Sequence, residues 1–226
     1  MNNGKVILAI DYSLNGSSII IGNTWSNDIF YKYFSSLKSD IKNEDCIEIP
    51  EGISGTEKLD NLINYFLGFI DKINFVVLES ASFNSVNSST DFQGGYHIIR
   101  YLCRKHNIEC LEVPPITNKL FFADNGKATK EEMLEVAIKN YQDRVDFNSI
   151  SKKHRYDVAD ALSLYELGHT YLTHNRLPAP RGCVGTCDIK PYDTLPPHKQ
   201  MVIAKLYNRE DLYKEAKKGR DKLRGK

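Results

Sequence analysis

The chain has 226 residues, of which 41% are hydrophobic and 11% aromatic, and its net charge at pH 7 is +1. This apolar content supports one sizeable core but hardly two full domains, and no apolar run reaches the ~18 to 20 residues that a membrane-spanning helix needs. The five scattered cysteines and the absence of a secretory-signal pattern before Asp11 predict a cytoplasmic protein.

The first third of the chain predicts an antiparallel meander. Aliphatic and β-branched residues fill Lys5–Ile10, a turn signal follows at Asn15–Gly16, and the run "SSIIIG" resumes as a second strand. A third strand, "DIFYKYFS" from Asp28, completes the meander. The polar, glycine-containing stretch Asp40–Gly55 predicts a loop.

The middle of the chain alternates helices with strands. Apolar residues in "TEKLDNLINYFLGFIDKI" recur with helical period, and a strand of the buried type starts at Asn74. A helix from about Phe92 to His106 then leads into the strand "IECLEVP", and two strands joined through a helix imply a parallel pair. Thr129 and Glu132 form a capping box that begins another helix, and the last core helix is predicted from about Tyr156 to Tyr171. These elements predict an α/β fold whose mixed sheet is flanked by helices.

The C-terminal part differs in texture and charge. Up to His169 there are 17 Lys and Arg against 23 Asp and Glu, and beyond it 13 against 6. A Pro- and Gly-rich stretch starts at Arg176, and the lysine-rich end favours a helix. We therefore predict one domain over residues 1–175 and a linker with a basic tail over 176–226. The tail is either a solvated surface or a contact for a DNA backbone.

Four acids mark the candidate site. Asp11 and Glu79 end two strands of the buried type, and Asp157 and Asp160 lie three residues apart, on one face of the last helix. Grouped carboxylates repel one another and are costly to desolvate unless a cation lies between them, and their hard oxygens suit Mg²⁺ or Mn²⁺. Two such ions, typically ~3.5 to 4 Å apart, assist hydrolysis of a phosphodiester. Taken singly, Asp11 also fits a turn residue and Asp157 a helix N-cap.

Four segments in this order resemble the RuvC-type Holliday-junction resolvases of the ribonuclease H-like superfamily, in particular a viral member. They are "ILAIDYSLNGSSIII", "VVLES", "VPPITNKLFFADNGKATKEEMLEVA" and "DVADALSLYELG", and they cover about residues 5 to 168. The resemblance implies a ribonuclease H-like fold and a homodimer that nicks two opposed strands of a four-way DNA junction. For a virus-encoded protein the location would be the host cytoplasm.

The resemblance also implies roles for particular residues. It assigns two Mg²⁺ or Mn²⁺ ions per active site to the four acids, and places Lys119 and Lys130 at the substrate phosphates. It implies an aromatic side chain soon after the glutamate that stacks on an unpaired base, for which Phe83 is the nearest residue and Phe92 the second. The Gly-Lys of "NGKAT" lacks the rest of a P-loop, although Lys127 is a further candidate for a phosphate contact.

Other histidines and cysteines have two readings each. His154, just before the acid pair, suits proton transfer or an extra ligand, but in "SKKHRY" it also fits a solvated side chain. Cys183 and Cys187 with His169 and His174 suggest a zinc site, but the cysteine spacing is loose and the two histidines point about 140° apart on one helix.

Three other functions are alternatives to junction cleavage, and the sequence favours them unequally. A ribonuclease H or a flap nuclease would use the same metal chemistry. A protein that binds junctions without cutting them would gain nothing from acids that face an anionic backbone. An actin-like or sugar-kinase-like ATPase needs a second glycine-rich phosphate loop and a longer chain.

Overall fold

A computed structural model of the protein describes residues 4–13, 16–26, 28–38, 40–80, 90–174 and 191–225. Within them six strands form one sheet in the order β4-β3-β2-β1-β5-β6. The strands are β1 (Val6–Asp11), β2 (Ser18–Asn23), β3 (Ile29–Ser35), β4 (Cys46–Glu48), β5 (Phe75–Glu79) and β6 (Glu109–Val113).

Seven α-helices accompany the sheet in the same residues. They are α1 (Gly55–Leu67), α2 (Thr90–Lys105), α3 (Pro115–Ala123), α4 (Lys130–Tyr141), α5 (Lys152–Thr173), α6 (Pro197–Leu206) and α7 (Glu210–Leu223). Short 3₁₀ helices lie at Ile70–Lys72, Phe147–Ser149 and Pro191–Thr194. None of the helices in the described ranges is long and apolar enough to cross a membrane.

The strand pairing confirms the predicted mixed sheet. Strands β1, β2 and β3 pair antiparallel as a meander, whereas β1 with β5 and β5 with β6 pair parallel. The meander follows from its short connections, and the parallel pair β5–β6 from the crossover through α2. The capping box that begins α4 is also present, with Thr129 accepting from the Glu132 amide.

The prediction of a loop across Asp40–Gly55 is wrong at its centre, where β4 pairs parallel with the end of β3. The strand has three residues and lies at the edge of the sheet, so it offers no alternation long enough to recognise. The residues around this strand are mostly polar, and this is why the sequence pattern indicated a loop.

Alternate residues of the central strands face two separate apolar clusters. One face of the sheet contributes Ile7, Ala9, Phe75 and Val77 to a large cluster with α3 to α7. The other contributes side chains such as Leu8 and Val76 to a smaller cluster with α1 and α2. Because successive strand side chains point to opposite faces, the near-continuous apolar runs of β1 and β5 reflect burial on both sides.

Helix α5 crosses the large face of the sheet and begins earlier than predicted. Its N-cap is Ser151, a residue type that favours this position, and Lys152 rather than Tyr156 is the first helical residue. The local interpretation of Asp157 as the N-cap is therefore wrong. Gly168 lets the helix lie close to the sheet, since a Cβ at this position would overlap the Val77 side chain.

The C-terminal helices pack on the body of the protein. Buried side chains of α6, such as Val202 and Ile203, belong to the same apolar cluster as the sheet, and Leu212 of α7 joins them. The predicted domain boundary near residue 175 lies outside the described residues, so the division into two parts stays a prediction. The helices beyond it nevertheless share the core.

Candidate active site

The sheet brings Asp11 and Glu79 to one end and one face. Strands β1 and β5 run parallel with Ile10 paired to Leu78, so the next residue of each strand is an acid at the same end of the sheet. By strand alternation Asp11 follows Ile7 and Ala9, and Glu79 follows Phe75 and Val77, onto the face that α5 covers. Both carboxylates therefore lie towards α5.

Helix α5 supplies the other two acids. It contacts β1 and β2, and its close packing on the sheet fixes its position there. Asp157 and Asp160 lie one turn apart, in the second and third turns of the helix. Asp157, Asp160 and Glu79 each raise the pKa of Asp11 by charge repulsion, which places the four acids in one electrostatic group. Bringing the four together is what the sequence predicted.

The group is electrostatically strained. Burial first, and then the charges of Asp160 and Glu79, raise the pKa of Asp11 well above its ordinary value. Burial and the charge of Asp160 raise the pKa of Glu79 to about 7, against the opposing effect of Lys119. Burial also raises the pKa of Asp160 to about 6, although Lys130 acts to lower it. Three of the four acids therefore bind protons more tightly than ordinary carboxyl groups do.

Two lysines border this group. Lys119 on α3 donates from Nζ to the carbonyl oxygen of Ala128 at 2.9 Å, and its charge acts to lower the pKa of Glu79 and of Asp160. Lys130, the first residue of α4, acts in the same direction on these two acids and on Asp11. Both predicted phosphate-contacting lysines are thus close to the acids. Lys127 is exposed in the turn before α4.

The donor set suits a hard divalent cation. All four side chains are carboxylates, and the neighbouring lysines do not offset the burial and mutual repulsion that raise the pKa of Asp11, Glu79 and Asp160. In the described parts of the chain, however, no three His, Cys, Asp or Glu side chains converge as a formed metal site. The chemistry of the donors fits a metal, while a finished coordination geometry is not present.

His154 is buried rather than solvated, so the solvated reading of "SKKHRY" is wrong. Its ring is 1% exposed and stacks on Tyr33, with centroids 5.4 Å apart. Nδ1 lies 3.0 Å from Asp157 Oδ2, and Nε2 lies 3.6 Å from Asp40 Oδ2. The early start of α5 explains the difference, because it turns His154 onto the face of the helix that packs on β3.

Two residues of this site were not anticipated. Asp40, predicted to lie in a polar loop, is 1% exposed, and nothing in "SDIKNEDC" distinguishes it from its solvated neighbours. The sequence predicts Gly16 only as a turn residue, but a Cβ there would lie 2.6 Å from Asp157 Oδ2. Pairing of this glycine with a particular acid is a tertiary contact that a local pattern does not carry.

Several predicted residues cannot be compared with the structure. Phe83, Cys183 and Cys187 lie outside the described residues, and so does the side chain of Phe92, although its backbone is in α2. The base-stacking aromatic and the zinc site therefore stay predictions.

No protein-family model matches the sequence, and no curated protein matches it. The fold is similar to that of Thermus thermophilus RuvC in complex with a Holliday junction substrate, with a TM-score of 0.51 and 13% identity over 72% of this chain and 94% of that one. The T. thermophilus RuvC structure alone gives a TM-score of 0.49 and 12% identity over 73% and 94% of the two chains. The fowlpox virus resolvase with its substrate Holliday junction DNA gives a TM-score of 0.49 and 14% identity over 74% of this chain and 98% of that one.

The likeness to the T. thermophilus RuvC complex, together with the mixed sheet, confirms the predicted ribonuclease H-like fold. At this identity the likeness concerns the fold alone. The four acids occupy strand ends and a helix face in the order that the sequence resemblance implied.

Proposed function

We propose that this chain is a divalent-cation-dependent endonuclease that nicks opposed strands of four-way DNA junctions. The observation that carries the proposal is the convergence of Asp11, Glu79, Asp157 and Asp160 at one end of the sheet, where burial and mutual repulsion raise the pKa of three of them. A fold that only needed a stable core would gain nothing from grouping these acids. A similar fold is known from a RuvC solved with a Holliday junction substrate.

Each residue of the site has a part in this proposal. Asp11, Glu79, Asp157 and Asp160 would hold two Mg²⁺ or Mn²⁺ ions. When bound, these ions supply Lewis-acid stabilisation of the attacking and leaving oxygens in phosphodiester hydrolysis. Lys119 and Lys130 border the acids and would contact the substrate phosphates, with Lys127 as an outer contact. Phe83, or Phe92, would stack on an unpaired base.

The rival functions differ in substrate rather than in site. A ribonuclease H or a flap nuclease would use the same acids, and the fold does not select among these substrates. Binding without cleavage is disfavoured, because four carboxylates repel a DNA backbone unless cations lie between them.

A panel of labelled substrates tests the proposal with the full chain. Four-way junction, flap, linear duplex and RNA–DNA hybrid are each incubated with Mg²⁺, Mn²⁺, Ca²⁺ or EDTA. We expect symmetric nicks in the junction with Mg²⁺ or Mn²⁺, and no cutting in EDTA or with Ca²⁺, whose longer bonds and looser geometry suit this reaction poorly. Preferred cutting of the flap or the hybrid would transfer the assignment to the corresponding rival, and cutting in EDTA would overturn the metal mechanism.

A homodimer belongs to the same proposal. The described residues of one chain contain one such group of four acids, so two nicks related by the two-fold symmetry of a junction require two copies. We expect a dimer by light scattering at the concentration used for cleavage. A monomer that still cuts both strands would contradict this part of the proposal.

A further inference from the structure

Asp11, Glu79, Asp157 and Asp160 together are called the acid group below. A fifth carboxylate lies behind this group, in the connection between β3 and β4. Asp40 is 1% exposed, and its Oδ2 accepts hydrogen bonds from the hydroxyls of Ser35 at 2.8 Å and Ser151 at 3.0 Å. Nε2 of His154 lies 3.6 Å from the same oxygen, a distance at which a protonated ring would form an ion pair with it. Burying a carboxylate to this degree is costly unless partners compensate its charge, so the burial of Asp40 needs a physical explanation.

His154 links Asp40 to the acid group. As a metal ligand Asp157 would be ionised and could only accept hydrogen bonds, so in the 3.0 Å contact between Nδ1 and Asp157 Oδ2 the ring would be the donor. Stacking of the Tyr33 ring on the face of the imidazole also holds His154 in place. Both nitrogens face carboxylates of the protein, an arrangement that suits holding Asp157 in place more than exchanging protons with a substrate.

Two neighbouring residues are fitted to this chain of contacts. Gly16 leaves no room for a side chain, since its Cβ would lie 2.6 Å from Asp157 Oδ2 and 3.2 Å from His154 Cε1. Ser151 is the N-cap of α5, yet its side chain makes no capping hydrogen bond and instead donates to Asp40. The ordinary role of an N-cap serine is thus given up in favour of the contact with Asp40.

We propose that Asp40 is a positioning residue that acts through His154 to orient the Asp157 carboxylate. This inference rests on the proposed function, in which Asp157 is a metal ligand. Groups that hydrogen-bond a ligating carboxylate fix its orientation, and their loss typically lowers metal affinity by about 10- to 100-fold. Asp40, His154 and Asp157 belong to the β3–β4 connection and to α5, so the contacts also join the edge of the sheet to the helix that carries two of the acids.

The test measures Mn²⁺ binding to the full chain by calorimetry, without DNA. Asp40→Asn should weaken binding by about 10-fold. In His154→Asn the amide nitrogen takes the place of Nδ1 and can still donate to Asp157, whereas in His154→Gln it takes the place of Nε2. We therefore expect His154→Gln to bind Mn²⁺ more weakly than His154→Asn. Asp45→Asn is the control, because Asp45 belongs to the same connection but pairs with Lys32 at 3.1 Å.

A double variant separates positioning from a purely structural role. If Asp40 acts through His154, adding Asp40→Asn to His154→Asn should change the Mn²⁺ affinity no further. Equal binding by His154→Asn and His154→Gln would overturn the inference, as would wild-type affinity in a folded Asp40→Asn protein. Should Asp40→Asn not fold, Ser151→Ala, which removes one of the two hydroxyl hydrogen bonds to Asp40, replaces it in the same titration, and wild-type affinity in that variant would count against the inference.

The same titrations distinguish this inference from the proposed function. Asp157→Asn should abolish high-affinity Mn²⁺ binding if the acid group is a metal site. If Asp157→Asn abolishes binding but Asp40→Asn and His154→Gln do not weaken it, only the positioning role of Asp40 fails. If the wild-type protein does not bind Mn²⁺, the proposed function and the positioning role fail together.

Discussion

The protein holds carboxylates in two contrasting ways. At the acid group, burial and mutual repulsion raise the pKa of Asp11, Glu79 and Asp160. At the C-terminal end of α3, Asp124 accepts from Arg220 Nε at 2.7 Å and from Arg224 Nη2 at 2.7 Å. Partial burial acts to raise the pKa of Asp124, but these hydrogen bonds leave it lowered.

The difference lies in where the compensating cation comes from. Asp124 is neutralised by Arg220 of α7 and by Arg224, the residue that follows this helix, so the chain completes this site by folding and links α3 to α7. The acid group is bordered by Lys119 and Lys130, which reduce the repulsion without cancelling it. A group of carboxylates that folding alone leaves uncompensated is expected to bind a cation from solution.

The largest expected effect of breaking the acid group is on cleavage. Asp11→Asn and Glu79→Gln each remove a negative charge and keep the shape of the side chain, so we expect the single-turnover rate on junction DNA to fall by at least about 100-fold, while the fold and junction binding are retained. The control is Asp60→Asn, an exposed acid of α1. Near wild-type cleavage by either active-site variant would show that these acids do not form the site.

The next effect is on the free energy of unfolding in the absence of metal, and the raised pKa values fix the direction in which it changes with pH. Because the pKa of Glu79 is raised to about 7 and that of Asp160 to about 6, the folded protein keeps protons that the unfolded chain releases at lower pH. Their stabilisation is present below about pH 4 and is lost as the pH rises through about 6 and 7. We expect Glu79→Gln in EDTA to gain stability over the wild type as the pH rises, by an amount on the order of 2 kcal/mol at pH 8.

Urea denaturation at pH 4.5 and pH 8 measures this difference. Asp60→Asn should follow the wild type at both values, and added Mg²⁺ should restore the wild type at pH 8 but have a smaller effect on Glu79→Gln. A Glu79→Gln variant that is less stable than the wild type at pH 8 in EDTA would contradict the electrostatic account of this group.

The stability contributed by Asp124 and its partners Arg220 and Arg224 should change with pH in the opposite direction and by a smaller amount. The lowered pKa of Asp124 means that its stabilisation is present above the pKa of the unfolded chain and is lost as the pH falls through that of the folded protein. We expect Arg220→Ala to lower the free energy of unfolding by about 1 to 2 kcal/mol at pH 7, and by less in acid. Lys217→Ala on the exposed face of α7 is the matched control. An Arg220→Ala effect no larger than the control's would show that the contact with Asp124 is not stabilising.

The two regions also differ in how far the sequence predicted them. The strand ends at Asp11 and Glu79 are local features of long apolar runs, and the pair Asp157 and Asp160 follows from helical spacing, so the acid group was predicted residue by residue. Around Asp124 the lysine-rich end was predicted to be helical, but its packing on the core and its ion pairs with Asp124 were not. The stretch before α6 is rich in proline, and the charged face of α7 outweighs the single apolar stripe that includes Leu212 and Ala216.

The buried residues beside the acids that the sequence did not predict share one property. The burial of Asp40 and the orientation of His154 depend on contacts between residues far apart in the chain. Asp40 and Ser151, for example, are separated by 111 positions. A polar residue in a polar segment carries no local sign of burial, because the partner that makes burial possible lies in another element.

The smallest expected effect concerns the basic end of the chain as a contact for DNA, and the structure changes how it should be tested. Removing the tail would also remove Leu212 from the core and Arg220 from Asp124, so a loss of binding would have no single cause. Within the described part of the chain, Lys217, Lys218 and Lys222 are exposed and form no ion pair.

The variant to make therefore replaces only these three lysines of α7 by glutamine. Each lysine that contacts a phosphate releases counterions and adds about 0.9 to the slope of log K against log salt concentration on duplex DNA. We expect the triple variant to bind junction, flap and duplex more weakly to a similar degree, with a slope flattened by up to about 3. Single-turnover cleavage at saturating protein should be unchanged, because the lysines lie outside the acid group, and thermal unfolding should match the wild type, since exposed side chains contribute little to stability. An unaltered salt slope would assign this face of α7 to solvent and leave the phosphate contacts to the lysines around the acids.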